Sequence, residues 1–251
     1  PVRVLLLDTA RRLGHSPGRP APGRGRGGGP EDLGRAGVEI TVDEALHLVR
    51  TAHGRYKAHK GGAPGAPGET LDEVTPRQYW GEFTRDLVDA QAREALLAEA
   101  EELQLALYRS KSRKTLRPGV TTLLERCAAT SVPVIVVSNT INGRGVREVF
   151  ARHGLADRIA GWACSDEVGL KKPHAEIFTV ALRMAGVPAE QTAMLGDKPF
   201  NDGLGAREVG IGRRILTRGG SGTEDELQDA LAEGWATDVV DHPGQVVDLL
   251  G

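Results

Sequence analysis

Cysteine is nearly absent from this chain, with only Cys127 and Cys164 among 251 residues. Two cysteines are too few for a disulfide scaffold, and no Cys-x-x-Cys spacing marks a zinc site, so both read as reduced core thiols. A basic excess is missing as well: the formal net charge is −2, which argues against a surface that tracks nucleic-acid phosphates. No uninterrupted apolar run approaches the roughly 20 residues needed to cross a bilayer, and the N-terminus lacks a signal-peptide pattern. These absences point to a cytoplasmic protein with neither a nucleic-acid nor a membrane partner. What remains is 39% apolar residues, enough for one large domain or a core with a smaller one.

The chain divides into three kinds of text. Residues 2–8 read as a buried strand, an almost continuous apolar run that ends in an acid, Asp8. From Thr9 to about Gly37 the sequence turns Arg/Gly/Pro-rich, as in Gly23-Arg24-Gly25-Arg26-Gly27-Gly28-Gly29-Pro30. That stretch has too little apolar area to offset chain entropy and reads as a flexible loop. It holds no aromatic residue to stack on bases, so a nucleic-acid arm is the poorer reading. Residues 38–114 are helical in pattern. Thr41-Val42-Asp43-Glu44 reads as an N-cap with an acid at N3, followed by a stripe of Val42, Ala45, Leu46, Leu48 and Val49. A Gly/Pro break spans 61–68, Thr75-Pro76 opens a helix through Trp80, Phe83 and Leu87, and Ala90 to Ala106 reads as one strong helix. Tyr79, Trp80 and Phe83 are expected to pack inward.

From Pro118 onward helices alternate with strands at 132–138, 161–164, 192–196, 212–217 and 237–240. Such alternation predicts an α/β fold with a doubly wound parallel sheet and helices on both faces. Polar residues just past the C-terminal strand ends then gather in one crevice, where open α/β sheets bind ligands. Four blocks obey that rule: Asp8, Ser138-Asn139, Lys172-Pro173, and Gly196-Asp197 with Asn201-Asp202.

Each block has a plain and a chemical reading. Asp8 is a strand-end turn acid or a nucleophile. Ser138-Asn139 is a turn, or a hydroxyl and amide that hold phosphoryl oxygens. Lys172 is a solvated lysine or the ammonium that offsets charge on a transferring group, with Lys171 beside it as a rival. Asp197 and Asp202, five positions apart at the start of a loop, suit a hard oxygen-seeking cation such as Mg²⁺, although Asp202 also suits a helix cap. Together they make a phosphoryl-transfer site. His53, His59 and His174 have no spacing that marks a metal or a base.

In order and spacing the blocks resemble the haloacid dehalogenase-like hydrolase superfamily. The likeness covers residues 2–8 and roughly 117 to the C-terminus, and Ser165-Asp166-Glu167-Val168-Gly169-Leu170-Lys171-Lys172-Pro173-His174-Ala175-Glu176-Ile177-Phe178 looks like the family's third block, which selects Lys172 over Lys171. The resemblance implies a Rossmann-like core (1–8 and 115–251) with a helical cap (38–114) inserted after the first strand. It also implies that Asp8 attacks phosphorus, that Ser138 and Lys172 hold the phosphoryl oxygens, and that Asp197 with Asp8 binds Mg²⁺, supported by Asp202. The substrate class it implies is a small phosphorylated metabolite.

One block departs from the pattern. The family's phosphatases carry a second acid two residues after the nucleophile and then Gly-Thr, whereas this chain reads Asp8-Thr9-Ala10-Arg11-Arg12-Leu13. Loss of that acid is expected to cost roughly 10²- to 10⁴-fold in rate, while Arg11 and Arg12 offer charge-assisted bonds to a phosphate instead. The alternatives are a catalytically impaired pseudohydrolase that binds a phosphorylated ligand or a protein, a dehalogenase, and a phosphonoacetaldehyde-hydrolase-like enzyme with Lys57 or Lys60 as the Schiff-base amine. The Arg/Gly/Pro bias of 9–37 is also what an out-of-register reading of GC-rich coding sequence would give.

Overall fold

The structure is a computed structural model that describes residues 2–8, 30–61, 70–111 and 115–250. The first strand, β1 (Val4–Leu7), is buried along its whole length. Its alternate side chains enter different cores: Leu5 and Leu7 join Val120, Leu124 and Phe150 on one face of the sheet, and Val4 and Leu6 join Ile177, Phe178 and Ala181 on the other. Successive strand residues point to opposite faces, so only a strand covered on both sides reads as an unbroken apolar run. Each of these leucines contributes about 1.5–3 kcal/mol of burial.

Five further strands follow: β2 (Val134–Ser138), β3 (Gly161–Cys164), β4 (Thr192–Gly196), β5 (Arg213–Thr217) and β6 (Asp238–Val240). Among the described residues the sheet has six strands in the order β3-β2-β1-β4-β5-β6, and every pairing is parallel. The chain winds outward from β1 to β3 and then returns to β1's other side. The strand ends of β1 and β4 therefore border the topological switch point where such sheets hold ligands.

Between β1 and β2 lie α1 (Pro30–Arg35), α2 (Val42–His59), α3 (Pro76–Glu82), α4 (Ala90–Ala98), α5 (Ala100–Lys111) and α6 (Val120–Ala129). The first five form a helical body with its own core, in which Leu33, Leu48, Tyr79, Trp80 and Leu96 are fully buried or nearly so. Tyr79 sits at its centre, with ring centroids 5.9 Å from Tyr56, 5.3 Å from Trp80 and 5.8 Å from Phe83. Thr41 and Glu44 form a capping box at the start of α2, and Thr75 and Gln78 form another at α3. Each box satisfies N–H groups that the first helical turn leaves without partners.

Four expectations need correction. The Arg/Gly/Pro segment does not stay irregular to Gly37, because residues 30–35 form α1 and its Leu33 is buried in the helical core; one well-placed leucine anchors a turn of otherwise polar text. The rest of that segment, including Ala10, Arg11 and Arg12, lies outside the described residues, as do 62–69 of the Gly/Pro break. Val42 is 59% exposed, and the buried stripe of α2 is Ala45, Leu48, Ala52 and Tyr56. Being the first helical residue, Val42 precedes the face that the i, i+3, i+4 spacing aligns. The helix expected through Leu87 ends at Glu82. Ala90 to Ala106 is two helices, since Glu99 leaves helical geometry at φ −103° and ψ 15°.

After β2 come α7 (Gly143–Arg152), α8 (Ser165–Val168), α9 (Ala175–Ala185), α10 (Gly205–Glu208) and α11 (Glu224–Ala232), with one π-helical stretch, Pro199–Leu204, leading into α10. The helical body meets this half along a seam. Asp72 bridges Leu170, the Glu73 N–H donates to the Gly169 carbonyl at 2.9 Å, and the Lys171 N–H donates to the Leu71 carbonyl at 2.9 Å. The Glu73 carboxylate is buried there, accepting from Ser165 Oγ at 2.8 Å and from Tyr56 Oη at 3.3 Å. Cys127 and Cys164 are both buried free thiols.

Candidate active site

Parallel pairing brings the ends of β1, β2 and β4 side by side, and the residue after each apolar run carries a polar group. Asp8 follows β1 and donates its backbone N–H to the Leu195 carbonyl of β4 at 2.9 Å. Ser138 ends β2, and Asp197 follows Gly196 at the end of β4. The carboxylates of Asp8, Asp197 and Asp202 each place an oxygen within 4.8 Å of the others. Three acids so close repel one another unless cations lie among them.

Lys172 supplies one. Its ammonium is 3.1 Å from Asp8 Oδ1 and 2.7 Å from Asp202 Oδ1, and it donates to the Val137 carbonyl at 2.9 Å. The side chain is only 2% exposed. Burial alone would strip its proton, but Asp202 and Asp8 outweigh that and hold its pKa above the ordinary lysine value. Asp202 shifts upward, driven first by burial and then by Asp8 and Asp197, against the pull of Lys172. Both Asp202 oxygens are occupied: Oδ1 faces Lys172 and Oδ2 accepts the N–H groups of Asp197 and Lys198, each at 3.0 Å. Asp202 thus folds the loop back on itself, which requires Gly196, since a Cβ there would collide with the Asp202 carboxylate.

Arg117 supplies a second cation, its Nη2 lying 2.9 Å from Asp197 Oδ2 in a pair buried at both ends. The Ser221 N–H donates to the same oxygen at 2.7 Å. Gly220 packs so tightly that a Cβ would overlap both Asp197 and Arg117. Arg117 carries no sign of this role in the sequence, where it is simply the charged residue before the Pro118-Gly119 turn into α6.

Ser138 is 1% exposed and its Oγ has no hydrogen-bond partner among the described residues, a hydroxyl left open at the strand end. Asn139 departs from expectation. Its Oδ1 accepts from the Lys172 N–H at 2.7 Å and its Nδ2 donates to the Lys172 carbonyl at 2.9 Å, so the amide is committed to the backbone of Lys172 rather than presented to a phosphoryl oxygen. Asn201 Nδ2 donates to the same carbonyl at 2.6 Å. Two asparagines therefore hold Lys172; Asn139 was legible as a candidate in its own right, and Asn201 only as a member of the block around Asp202.

The remaining candidates fall outside this group. Lys57 and Lys60 are exposed on the last turn of α2 and its C-cap, with Lys60 Nζ 5.5 Å from the Tyr56 ring centroid, an arrangement with no desolvated amine for a Schiff base. His174 caps α9, its side chain accepting from the Glu176 N–H, and His53 and His59 lie against Tyr56 and Phe83.

This sheet order, with a buried lysine among three aspartates at its switch point, defines an α/β protein with a charged site at the strand ends. The family model "haloacid dehalogenase-like hydrolase" matches residues 39–210, and the chain belongs to that family. Among curated relatives it is 32% identical to the phosphoserine phosphatase of Thermus thermophilus over 48% of this chain and 48% of that one. It is 29% identical to the glyceraldehyde 3-phosphate phosphatase of Methanothermobacter thermautotrophicus over 53% of this chain and 58% of that one. The chain thus spans about half the length of these relatives. At 26% identity it aligns over 78% of its length with 80% of the haloacid dehalogenase-like hydrolase domain-containing protein 3 of Bos taurus. Among solved structures, the 2-haloacid dehalogenase of Pseudomonas syringae pv. Tomato DC3000 shares the fold with a TM-score of 0.58 at 20% identity, over 99% of this chain and 98% of that one.

Proposed function

We propose that the chain is a Mg²⁺-dependent phosphatase of a small phosphorylated metabolite, with Asp8 as the nucleophile. The observation that carries this reading is the convergence of Asp8, Asp197 and Asp202 within 4.8 Å around one buried lysine. Hard carboxylate oxygens in this number fit Mg²⁺, and the second oxygens of Asp8 and Asp197 are the donors left for it. Bound there, Mg²⁺ would offset negative charge on the phosphoryl group.

Asp8 attacks phosphorus in line with the leaving oxygen, forming one O–P bond as the ester O–P bond breaks. Lys172 faces the same carboxylate and, with the Ser138 hydroxyl, holds the phosphoryl oxygens as charge builds on them. Water then attacks the aspartyl-phosphate and returns Asp8 and inorganic phosphate. Ala10 stands where the family's phosphatases keep their second acid, so the leaving oxygen takes its proton from the substrate or from solvent, at a cost of roughly 10²- to 10⁴-fold in rate.

The division of labour we propose is a catalytic α/β core, residues 1–8 and 115–251, and a helical cap, here extended to start at Pro30. Among the described residues no helix is long and apolar enough to cross a membrane, and two buried free thiols suit a reducing cytoplasm. Ala10 favours a second reading, a pseudohydrolase that keeps phosphate binding and has lost turnover.

The test is Mg²⁺-dependent phosphate release from a panel of phosphate esters, with Asp8→Asn as control. Loss of nucleophile chemistry is expected to lower turnover by about 10⁴-fold or more. Turnover that survives in Asp8→Asn would sink the nucleophile assignment, and no turnover above that control on a broad panel would favour the pseudohydrolase.

A further inference from the structure

Lys171 poses a question that phosphoryl transfer does not answer. It is 3% exposed, its Nζ is shut off from solvent, and among the described residues it has no hydrogen-bond partner. No ion pair forms with it among the described residues, although acids are close by in the chain. Glu73, whose backbone pairs beside it, is already engaged through both oxygens: Oε2 by Ser165 Oγ, and Oε1 by Tyr56 Oη and by the Val74 N–H at 3.1 Å. Asp8 and Asp202 are bound to Lys172, and Asp197 to Arg117.

A buried lysine amine without a partner is uncommon in native structures and calls for an explanation, such as a ligand that completes it. Its position narrows what that is. Lys171 directly precedes the lysine that faces Asp8, and its N–H is bonded to Leu71 of the helical body, which puts it on the seam between the two halves. In the phosphatase reading, a substrate whose phosphoryl group meets Asp8 extends its remaining atoms away from the strand ends, towards the helical body and this seam.

We propose that Lys171 recognises a second anionic group on the substrate, a carboxylate, so that the preferred ligands are phosphate esters of small organic acids. This rests on the phosphatase reading for the position of the phosphoryl group, and it is tested by binding so that the two stand or fall separately. A charge-assisted bond of this kind separates matched ligands by about tenfold to a hundredfold.

The experiment is calorimetric binding of 3-phosphoglycerate and of glycerol 3-phosphate to the Asp8→Asn chain in Mg²⁺, a pair that differs at the carboxylate. Both are measured again with Lys171→Met, which keeps length and removes charge, and with Lys171→Arg, which keeps charge. The expected result is tighter binding of 3-phosphoglycerate, a ratio that collapses towards one in Lys171→Met and is partly kept in Lys171→Arg. A parallel melting curve without ligand should show Lys171→Met at least as stable as its parent, since it sheds an unpaired buried charge. Equal affinity for the two ligands, no binding of either, or an unchanged ratio in Lys171→Met would overturn the proposal. Absence of phosphate release from the unmodified chain, with the ratio intact, would instead count against the phosphatase reading alone.

Discussion

The strand-end crevice and the helical body both exclude water, yet they fill the space with opposite chemistry. In the crevice Ser138, Lys172, Asp197, Asn201 and Asp202 are all buried around the C-terminal ends of β1, β2 and β4. The core of the helical body is built from leucine, alanine and aromatic rings, with Thr84 bonded locally to the Trp80 carbonyl. Burying ions gains little stability, because the cost of taking charges out of water offsets much of their attraction. An apolar core of the same volume stabilises more. The crevice thus carries charge that folding alone does not require, which is the physical mark of a site. Among the described residues the helical body carries little of that excess, Glu73 at the seam and Gln104 of α5 besides Thr84, and the rest of it reads as packing.

Breaking each region should separate the two. Lys172→Met has the largest expected effect: it leaves Asp8 and Asp202 buried side by side without their shared cation, at about 3–5 kcal/mol of stability. It also lowers phosphate release at least about 10²–10³-fold by removing a phosphoryl-oxygen donor. Urea denaturation and phosphate-release assays on the same preparation check both numbers. Turnover within a few-fold of the parent would mean that Lys172 only balances charge. Leu96→Ala in the helical core should cost about 2–5 kcal/mol through the lost burial and the cavity left behind. Its turnover per folded molecule should fall far less than that of Lys172→Met, because nothing in the crevice leans on Leu96. If the two variants lose activity equally, the contrast between charged site and inert packing is wrong.

How much of this was legible depended on how local each signal is. All six strands lie within two residues of their expected bounds, since a buried parallel strand is a short apolar run between turns. Asp8, Ser138, Lys172, Asp197 and Asp202 could be named because each follows such a run or sits in a compact block. Arg117 could not: its partner Asp197 is 80 positions away, and nothing near residue 117 tells of it. Glu73 and Ser165, 92 positions apart, are invisible for the same reason. Asn139 was legible as a polar strand-end residue but not as a clamp on Lys172, a role that exists only once β2 and the loop after α8 are adjacent. The break at Glu99 was missed because Ala/Leu/Glu-rich text favours a helix at every position, and helix propensity does not resolve where two helices part.

Asp166 lies close to both regions and gives the smallest effect, one of pH. Its Oδ2 accepts from the Gly143 N–H at 2.7 Å, while its Oδ1 is buried without a partner among the described residues. Burial pushes its pKa up to about 6, with Glu167 and Glu73 adding to that and the Gly143 bond working against it. The folded chain therefore holds this proton more tightly than the unfolded chain, whose aspartate titrates near the ordinary value of about 3.9. Its contribution is fully present below pH 4 and is lost as pH rises through about 6, because over that window folding favours the protonated form. Asp166→Asn keeps the acceptor for Gly143 and removes the titration. The melting temperature of the variant minus that of the parent should grow between pH 4 and pH 7, by a few degrees at most. A difference that stays constant across that range would show that Asp166 is solvated in the folded chain, and that the acids near the seam are not squeezed by the contact between the two halves.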